Sequence, residues 1–169
     1  FMGAYSDADN NDVIAIGYDA RNAGQYAISM GNFADVRSAT GGILLGYNSD
    51  MGNSGDYSVG IGYQANIDES SAVGIGRQIV IQGDSSIGIG AFDSISGGRS
   101  VVIGSSSTVT GNNSIAIGSD VRLTANNEVY IGNTSTQNIG GVVNWTATSD
   151  GRVKTGIREN VPGLDFIAQ

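Results

Sequence analysis

Side chains that commonly perform chemistry are few in this chain. Cys and His are both absent from its 169 residues, which excludes thiol catalysis, disulfides, histidine general bases and most zinc sites. We therefore expect no bound metal and no cofactor. Carboxylates remain, and a pair of convergent carboxylates is what glycan cleavage requires. The candidates are scattered through turn-like segments: Asp19, Asp35, Asp50, Asp68, Asp84 and Asp93.

Three tyrosines form a second candidate set. Tyr18, Tyr47 and Tyr63 each follow a glycine of one regular series, so we expect them to form an exposed row. Tyrosine is common at recognition surfaces, although tyrosines at a bend can also simply shield the ends of strands. We take these three residues as candidate binding residues.

The body of the chain is acidic. The formal net charge is −8, and residues 1–148 alone hold 13 acidic and 5 basic side chains. Phosphate binding needs a basic face, so nucleic acid is not an expected partner. No run of about 20 apolar residues is present, so we expect no membrane insertion in this segment. The absence of Cys suits a protein outside the cell, but it also suits many cytosolic proteins.

The chemistry-bearing residues are positioned by a repeat. Ten glycines recur in register, and seven of the nine intervals between them are 14 residues, whereas the other two are 15 and 16. The extra residues belong to residues 38–42 and 52–57, which predicts enlarged loops there. The opening Phe1-Met2-Gly3 resembles the end of a repeat unit, so a longer parent chain is expected. The glycines are Gly3, Gly17, Gly31, Gly46, Gly62, Gly76, Gly90, Gly104, Gly118 and Gly132.

Apolar residues occupy the first and third positions before these glycines. Alternate apolar positions indicate one face of a β-strand, and β-branched residues suit a strand. We predict that this face is the core, so that Asp in place of Ile89 or Ile103 should unfold the protein. The two rows are Ile16, Met30, Leu45, Ile61, Ile75, Ile89, Ile103, Ile117 and Ile131, and Ile14, Ile28, Ile43, Val59, Val73, Ile87, Val101, Ile115 and Val129.

The alternate positions of the same strand carry mostly small residues. Small residues allow another backbone to approach closely, so we predict a subunit interface on this face rather than a plain solvent face. The rows two and four positions before the glycines are Ala15, Ser29, Leu44, Gly60, Gly74, Gly88, Val102, Ala116 and Tyr130, and Val13, Ala27, Gly42, Ser58, Ala72, Ser86, Ser100, Ser114 and Glu128.

A second strand follows each glycine. From Gly17 to Gly118, the fifth residue after the glycine is apolar in every repeat except the one with Asn22, and turn residues such as Gly, Asn, Ser and Asp join the strands. One such unit cannot bury its apolar face alone, but stacked units can. We predict an all-β parallel solenoid of about ten coils, roughly 45–50 Å long, in preference to a barrel or sandwich, which needs no fixed register. Asp35, Asp50 and Asp19 could then align on successive coils.

The repeat resembles the head of the trimeric autotransporter adhesins, the type first known from the Yersinia adhesin. The likeness rests on the 14-residue period and on segments such as Ser58-Val59-Gly60-Ile61-Gly62, Ser100-Val101-Val102-Ile103-Gly104 and Ser114-Ile115-Ala116-Ile117-Gly118. It covers residues 1 to about 137. It implies a left-handed parallel β-roll, three chains packed side by side in a homotrimer, and a role in adhesion.

The C-terminal segment has a different character. The segment Ser149-Asp150-Gly151-Arg152-Val153-Lys154 is similar to the opening of the intramolecular chaperone domain of phage tail spikes, tail fibres and endosialidases. The resemblance implies that Ser149 is the nucleophile of a self-cleavage before Ser149 and that Lys154 assists it. A desolvated Lys can activate a Ser without a His.

These observations divide the chain and leave two functions open. We expect head repeats over residues 1–137, a connecting strand over 138–148 and the beginning of a chaperone-like domain over 149–169. The first function is a structural and adhesive module of an extracellular homotrimeric fibre, on a virion, a phage-like particle or a cell surface, which binds a host receptor or glycan. The alternative is an enzyme, either a self-cleaving fibre precursor or a glycan-degrading tail spike. A carboxylate in a solenoid turn is ordinarily only solubilising, which favours the fibre.

Overall fold

The chain folds as a parallel β-solenoid. A computed structural model describes residues 3–10 and 12–142, and within them it contains strands and turns but no helix. The coils lie in the compact unit Phe1–Gln137, and Asn138–Gln169 is a separate unit. The prediction of an all-β parallel solenoid is confirmed.

Each coil contributes one strand to each of two parallel sheets, which we name A and B. Sheet A contains β2 (Ile14–Ile16), β4 (Ile28–Met30), β6 (Ile43–Leu45), β8 (Val59–Tyr63), β10 (Val73–Arg77), β12 (Ile87–Ala91), β14 (Val101–Ser105), β16 (Ile115–Ser119) and β18 (Val129–Ile131). Sheet B contains β1 (Asp7–Ala8), β3 (Arg21–Asn22), β5 (Asp35–Val36), β7 (Asp50–Met51), β9 (Asn66–Ile67), β11 (Val80–Ile81), β13 (Ser94–Ile95), β15 (Thr108–Val109) and β17 (Arg122–Leu123).

The register places each residue beside its equivalent in the next coil. Ile75 pairs with Ile89 and Ile89 with Ile103 in sheet A, and Ile81 pairs with Ile95 in sheet B. Each sheet has nine strands over the described residues. The solenoid therefore has about nine coils, not the ten expected, because ten glycines enclose only nine intervals.

The two faces of sheet A are the reverse of those predicted. The residue two positions before the glycine is buried, as at Ala15, Leu44 and Val102, which have no exposed surface. The rows predicted as core lie outside, since Ile89 is 38% exposed and Ile103 42% exposed. Strand alternation shows which residues share a face but not which face is inward. The small residues therefore line the interior of a single chain and form no subunit interface.

The width of the interior explains this reversal. A Cβ added to Gly74 in sheet A would lie 2.4 Å from Cδ1 of Ile67 in sheet B. The isoleucines of sheet B thus fill the space over the small residues of sheet A. The predicted core row of sheet B is confirmed, with exposed fractions of 0–1%: Asn22, Val36, Met51, Ile67, Ile81, Ile95, Val109 and Leu123.

Asn22 is a polar member of this core, and its amide is fully used. Its Nδ2 donates hydrogen bonds to the carbonyl oxygens of Ile14 (3.1 Å) and Ala27 (2.9 Å). Its Oδ1 accepts one from the backbone nitrogen of Gly24 (3.2 Å). A buried amide is tolerated when it is hydrogen-bonded, so Asn22 replaces apolar packing with three local contacts.

Buried serines join successive coils. Ser100 Oγ donates to the Gly111 carbonyl at 3.0 Å and accepts from the Ser114 backbone nitrogen at 3.1 Å. Ser86 Oγ likewise donates to Gly97 and accepts from the Ser100 nitrogen. These hydroxyls satisfy backbone groups in the turns that sheet hydrogen bonds do not reach.

Both turns of each coil contain a residue with a left-handed backbone. From Gln64 to Asn127 such residues recur every seven positions, with φ between 54° and 63°, as at Gln64, Ser71 and Gln78. Each coil is therefore two half-turns of similar backbone path. The enlarged loops were predicted correctly, because Val36 pairs with Met51 and Met51 with Ile67, at offsets of 15 and 16 residues.

The repeated glycine meets two requirements of the fold. Gly90 has a φ of 145°, and a Cβ added to it would lie 1.8 Å from the carbonyl oxygen of Gly104. A side chain here would clash with the backbone of the next coil and would also strain its own backbone.

We predict that Gly90→Ala lowers the free energy of unfolding by at least about 2 kcal/mol. Gly140→Ala is the matched control, because nothing lies within 4 Å of the added Cβ. Denaturant unfolding followed by far-UV circular dichroism measures both changes. Equal unfolding free energies for the two variants would contradict the tight contact between coils.

Candidate functional site

An unbroken apolar stripe covers the outer face of sheet A. It consists of the residues one and three positions before the glycines, and we name it the apolar stripe. Each position is apolar in all nine coils. Its members are Ile14, Ile16, Ile28, Met30, Ile43, Leu45, Val59, Ile61, Val73, Ile75, Ile87, Ile89, Val101, Ile103, Ile115, Ile117, Val129 and Ile131.

The apolar stripe is similar in size to the largest exposed apolar patch of a typical monomeric protein, and such patches are often functional. Nine strands about 4.8 Å apart make it about 40 Å long, and two side-chain columns make it about 10 Å wide. Its footprint of about 400 Å² lies in the range at which exposed apolar patches mark interaction sites. No ionisable side chain interrupts either column.

The three tyrosines predicted to form a row do lie in one, together with two further aromatic residues. Ring centroids are 5.6 Å apart for Tyr5 and Tyr18, 5.5 Å for Tyr18 and Phe33, 5.9 Å for Phe33 and Tyr47, and 5.6 Å for Tyr47 and Tyr63. The first three pairs meet edge to face, and the last pair is stacked. We name these five residues the aromatic ladder.

Phe33 was missed because it occupies a different repeat position. It is the second residue after its glycine, whereas Tyr18, Tyr47 and Tyr63 are the first after theirs. The residue at this second position has a left-handed backbone in the neighbouring coils as well, with a φ of 51° at Asp19, 59° at Phe33 and 51° at Asn48. The three tyrosines are each between 46% and 48% exposed, so each ring has one part packed and one part open to a partner.

A cation lies in the coils that follow the ladder. Arg77 pairs with Tyr63 in the register of sheet A, and its guanidinium carbon lies 4.2 Å from the centroid of the Phe92 ring. This distance is typical of a cation–π contact. The residues that make these aromatic contacts therefore lie on seven of the nine coils, from Tyr5 to Phe92.

We predict that Tyr47→Ala lowers the free energy of unfolding by about 1–2 kcal/mol, because it removes both the Phe33 and the Tyr63 contacts. Tyr47→Phe keeps the ring and should change stability by less than about 0.5 kcal/mol. Thermal and denaturant unfolding of the two variants test this. A Tyr47→Ala variant as stable as Tyr47→Phe would show that the ring contacts contribute nothing.

The carboxylates expected to align do so only in part. Asp35 and Asp50 are register partners on neighbouring strands of sheet B, but Asp19 lies in the turn before β3 and pairs with Arg21 at 3.2 Å. Arg37 contacts Asp50. Burial raises the pKa of Asp50; Arg37 opposes that rise, whereas Asp35 adds to it.

The Asp35 and Asp50 pair lies on the outer face of sheet B. A cavity of about 190 Å³ lies elsewhere and is lined by Asn10, Asp12, Gln25 and Tyr26, with Asp12 its single carboxylate. Glycan hydrolysis needs two carboxylates on opposite sides of the scissile bond. The lining of this cavity supplies one.

Ser149 and Lys154, the residues predicted to perform self-cleavage, lie outside the described residues, and their role stays a prediction. Within residues 3–10 and 12–142, no group of three or more His, Cys, Asp or Glu is arranged to hold a metal ion. Over the same part of the chain, no helix has the length and apolar character needed to cross a membrane.

No protein-family model matches this chain, and no curated protein is significantly similar to it. The functional argument therefore rests on the solenoid itself, and in particular on the apolar stripe and the aromatic ladder.

Proposed function

We propose that this chain is a structural and adhesive module of an extracellular fibre, on a cell surface or a virion. In this proposal it is a left-handed β-roll of the kind found in trimeric autotransporter adhesin heads. Three copies pack side by side through the apolar stripe, and the surface that remains exposed binds a host receptor or glycan. The apolar stripe is the observation that carries the proposal.

Burial of the apolar stripe supplies the driving force for association. Removing apolar surface from water contributes about 25 cal/mol for each Å² buried, and half-exposed Ile and Val side chains repeat along the whole solenoid. A long and narrow stripe suits chains that pack in parallel around a common axis, because each chain then contributes only one narrow surface that faces the axis.

A second copy of the same chain is the partner that fits best. It carries the same spacing of about 4.8 Å between coils, so its side-chain ridges match the grooves of the first copy over the full length. The stripe also lacks charge, whereas the chain as a whole has a net charge of −8. Association through this face therefore keeps the acidic side chains apart and in solvent.

We expect the protein to behave as a single species with three times the mass of the 17.3-kDa chain. Ile89→Asp and Ile103→Asp should abolish assembly, because each would place an unpaired charge in the buried interface. Both variants should keep β-rich circular dichroism, since these side chains lie outside the core of the single chain. Sedimentation velocity at micromolar concentration measures the mass.

Ser96→Asp is the control for this experiment. Ser96 is exposed and follows β13, in sheet B, so its substitution adds the same charge away from the stripe and should leave the assembly intact. Ile81→Asp, in the buried core, should instead unfold the chain. A wild-type monomer, or assembly by Ile89→Asp, would overturn the proposed interface.

The adhesive part of the proposal rests on the aromatic ladder. Half-exposed tyrosines offer a rigid apolar ring and a hydroxyl together, which suits contacts with protein or sugar surfaces. The ladder presents such rings on five successive coils, and that repetition suits an extended partner that touches several coils at once. Tyr18, Tyr47 and Tyr63 are the residues we assign to this contact.

We expect the assembled protein to bind a subset of immobilised bacterial and host glycans or intact cells. Replacing Tyr18 and Tyr63 together by Ser should reduce this binding at least about tenfold, since two of the three tyrosines assigned to the contact are lost. Ser105→Ala with Ser119→Ala, on later coils, is the control. Unchanged binding by an assembled double-Tyr variant would remove the ladder from the adhesive surface and leave the assembly proposal intact.

A further inference from the structure

One carboxyl group is buried and belongs to neither the apolar stripe nor the aromatic ladder. Asp93 is the third residue after Gly90 and is 1% exposed. The equivalent position in the other coils holds an apolar or hydroxyl side chain, so Asp93 is the single ionisable residue in that column. The column reads Ser6, Ala20, Ala34, Ser49, Ala65, Ile79, Asp93, Ser107 and Val121.

The serines in this column donate a hydrogen bond to the next coil. Ser6 Oγ donates to the carbonyl oxygen of Gly17 at 2.6 Å, Ser49 Oγ to Gly62 at 3.1 Å and Ser107 Oγ to Gly118 at 3.2 Å. In each case the acceptor is the repeat glycine of the following coil. At each serine of this column, the glycine carbonyl of the next coil therefore accepts a hydrogen bond from a side-chain hydroxyl.

Asp93 uses one oxygen in the manner of a serine and leaves the other without a partner. Its Oδ1 accepts a hydrogen bond from the backbone nitrogen of Ser107 at 2.8 Å, just as Ser107 Oγ accepts one from Val121 at 3.1 Å. Its Oδ2 is buried and has no hydrogen-bond partner. A buried oxygen without a partner is unfavourable.

The unpartnered oxygen occupies the place of the serine hydroxyl. The point where Gly90 would carry a Cβ lies 1.8 Å from the Gly104 carbonyl oxygen and 2.9 Å from Asp93 Oδ2. At the first coil, the same point on Gly3 lies 2.1 Å from the Gly17 carbonyl oxygen and 2.7 Å from Ser6 Oγ. Since Ser6 Oγ donates to Gly17, Asp93 Oδ2 faces the equivalent acceptor, the carbonyl of Gly104.

Two oxygens that only accept would repel each other in this arrangement. An ionised carboxylate has no proton to donate, whereas a neutral carboxyl group has one. We propose that Asp93 is a proton-binding site: in the folded solenoid it takes up a proton from solvent, stays neutral, and donates that proton from Oδ2 to the carbonyl oxygen of Gly104.

The surroundings of Asp93 favour the neutral form. Burial raises the pKa of Asp93, and the hydrogen bond from the Ser107 backbone, together with the nearby Ala91 backbone, only partly opposes that rise. The ionisable side chains of the adjoining coils are all exposed, and none acts on Asp93 through its charge: Arg77, Asp84 and Arg99.

The proton makes stability depend on pH in a defined direction. A carboxyl group whose pKa is raised in the folded state contributes its full stabilisation when the pH is below its pKa in the unfolded state, which is 3.8. That stabilisation is lost as the pH rises through its pKa in the folded state. The junction between β12 and β14 should therefore weaken as the solution becomes less acidic.

Asp93→Asn and Asp93→Ser test the proposal in the full chain. Asn can donate from the Oδ2 position at every pH, and Ser restores the contact made by Ser107. We expect both variants to match the wild-type melting temperature at pH 4.5 and to exceed it by about 3 °C or more at pH 8. Asp93→Ala, which can neither donate nor accept, should melt below Asp93→Ser at both values. Asp120→Asn, at an exposed position, controls for removing one negative charge.

Infrared spectroscopy supplies a second readout. The wild-type protein at pH 4.5 should show a stronger carbonyl stretch of protonated carboxylic acid than Asp93→Asn, and this extra intensity should disappear as the pH rises. A melting difference between wild type and Asp93→Asn that stays constant from pH 4.5 to 8 would overturn the proposal. Selective stabilisation of the wild type by calcium at pH 8, reversed by a chelator, would also overturn it, because Oδ2 would then be a cation ligand.

Discussion

The close stacking of successive coils is the constraint on which the rest of the structure depends. Neighbouring strands in a sheet lie about 4.8 Å apart, so each side chain meets its equivalent one coil later. A feature at one repeat position therefore becomes a column. Glycine must recur where the backbones nearly touch, as at Gly90 and Gly104, serines recur where the turns need a hydroxyl, and aromatic rings contact one another in a row from Tyr5 to Tyr63. The columns are consequences of the spacing, and each coil is stabilised mainly by its neighbours.

The thin interior is the second consequence. Sheets A and B approach so closely that sheet B supplies most of the large interior side chains, such as Ile67 and Ile81, whereas Leu44 and Val102 are the larger interior side chains of sheet A. Sheet A then has mostly small residues inside, and its Ile and Val side chains are left on the outside. The narrow core that stabilises the stacked coils thus also leaves the apolar stripe on the outside, which a single chain cannot cover.

Much of this architecture could be predicted from the sequence, because the same residue types recur at a nearly constant spacing of 14 residues. The strand positions, the core row from Val36 to Leu123, the enlarged loops and the alignment of Tyr18, Tyr47 and Tyr63 all follow from counting residues between glycines. The inward face of sheet A could not be predicted in this way, because alternation is symmetric and the distance between sheets is a tertiary property. The burial of Asp93 was missed for a related reason: a lone Asp in a turn-rich segment has the pattern of a solvated residue, and only the column of Ser6, Ser49 and Ser107 reveals its environment.

The two enlarged loops, over residues 38–42 and 52–57, break an otherwise uniform repeat. Identical rods that touch along a periodic surface have many nearly equivalent alignments, each displaced by one coil, and sliding between them changes the buried area only slightly. Two unequal insertions on successive coils, of one and two residues, remove that equivalence, because only one alignment places each insertion at the same height in every copy. In the proposed assembly, the irregular coils would thus set the axial register of each chain relative to the others.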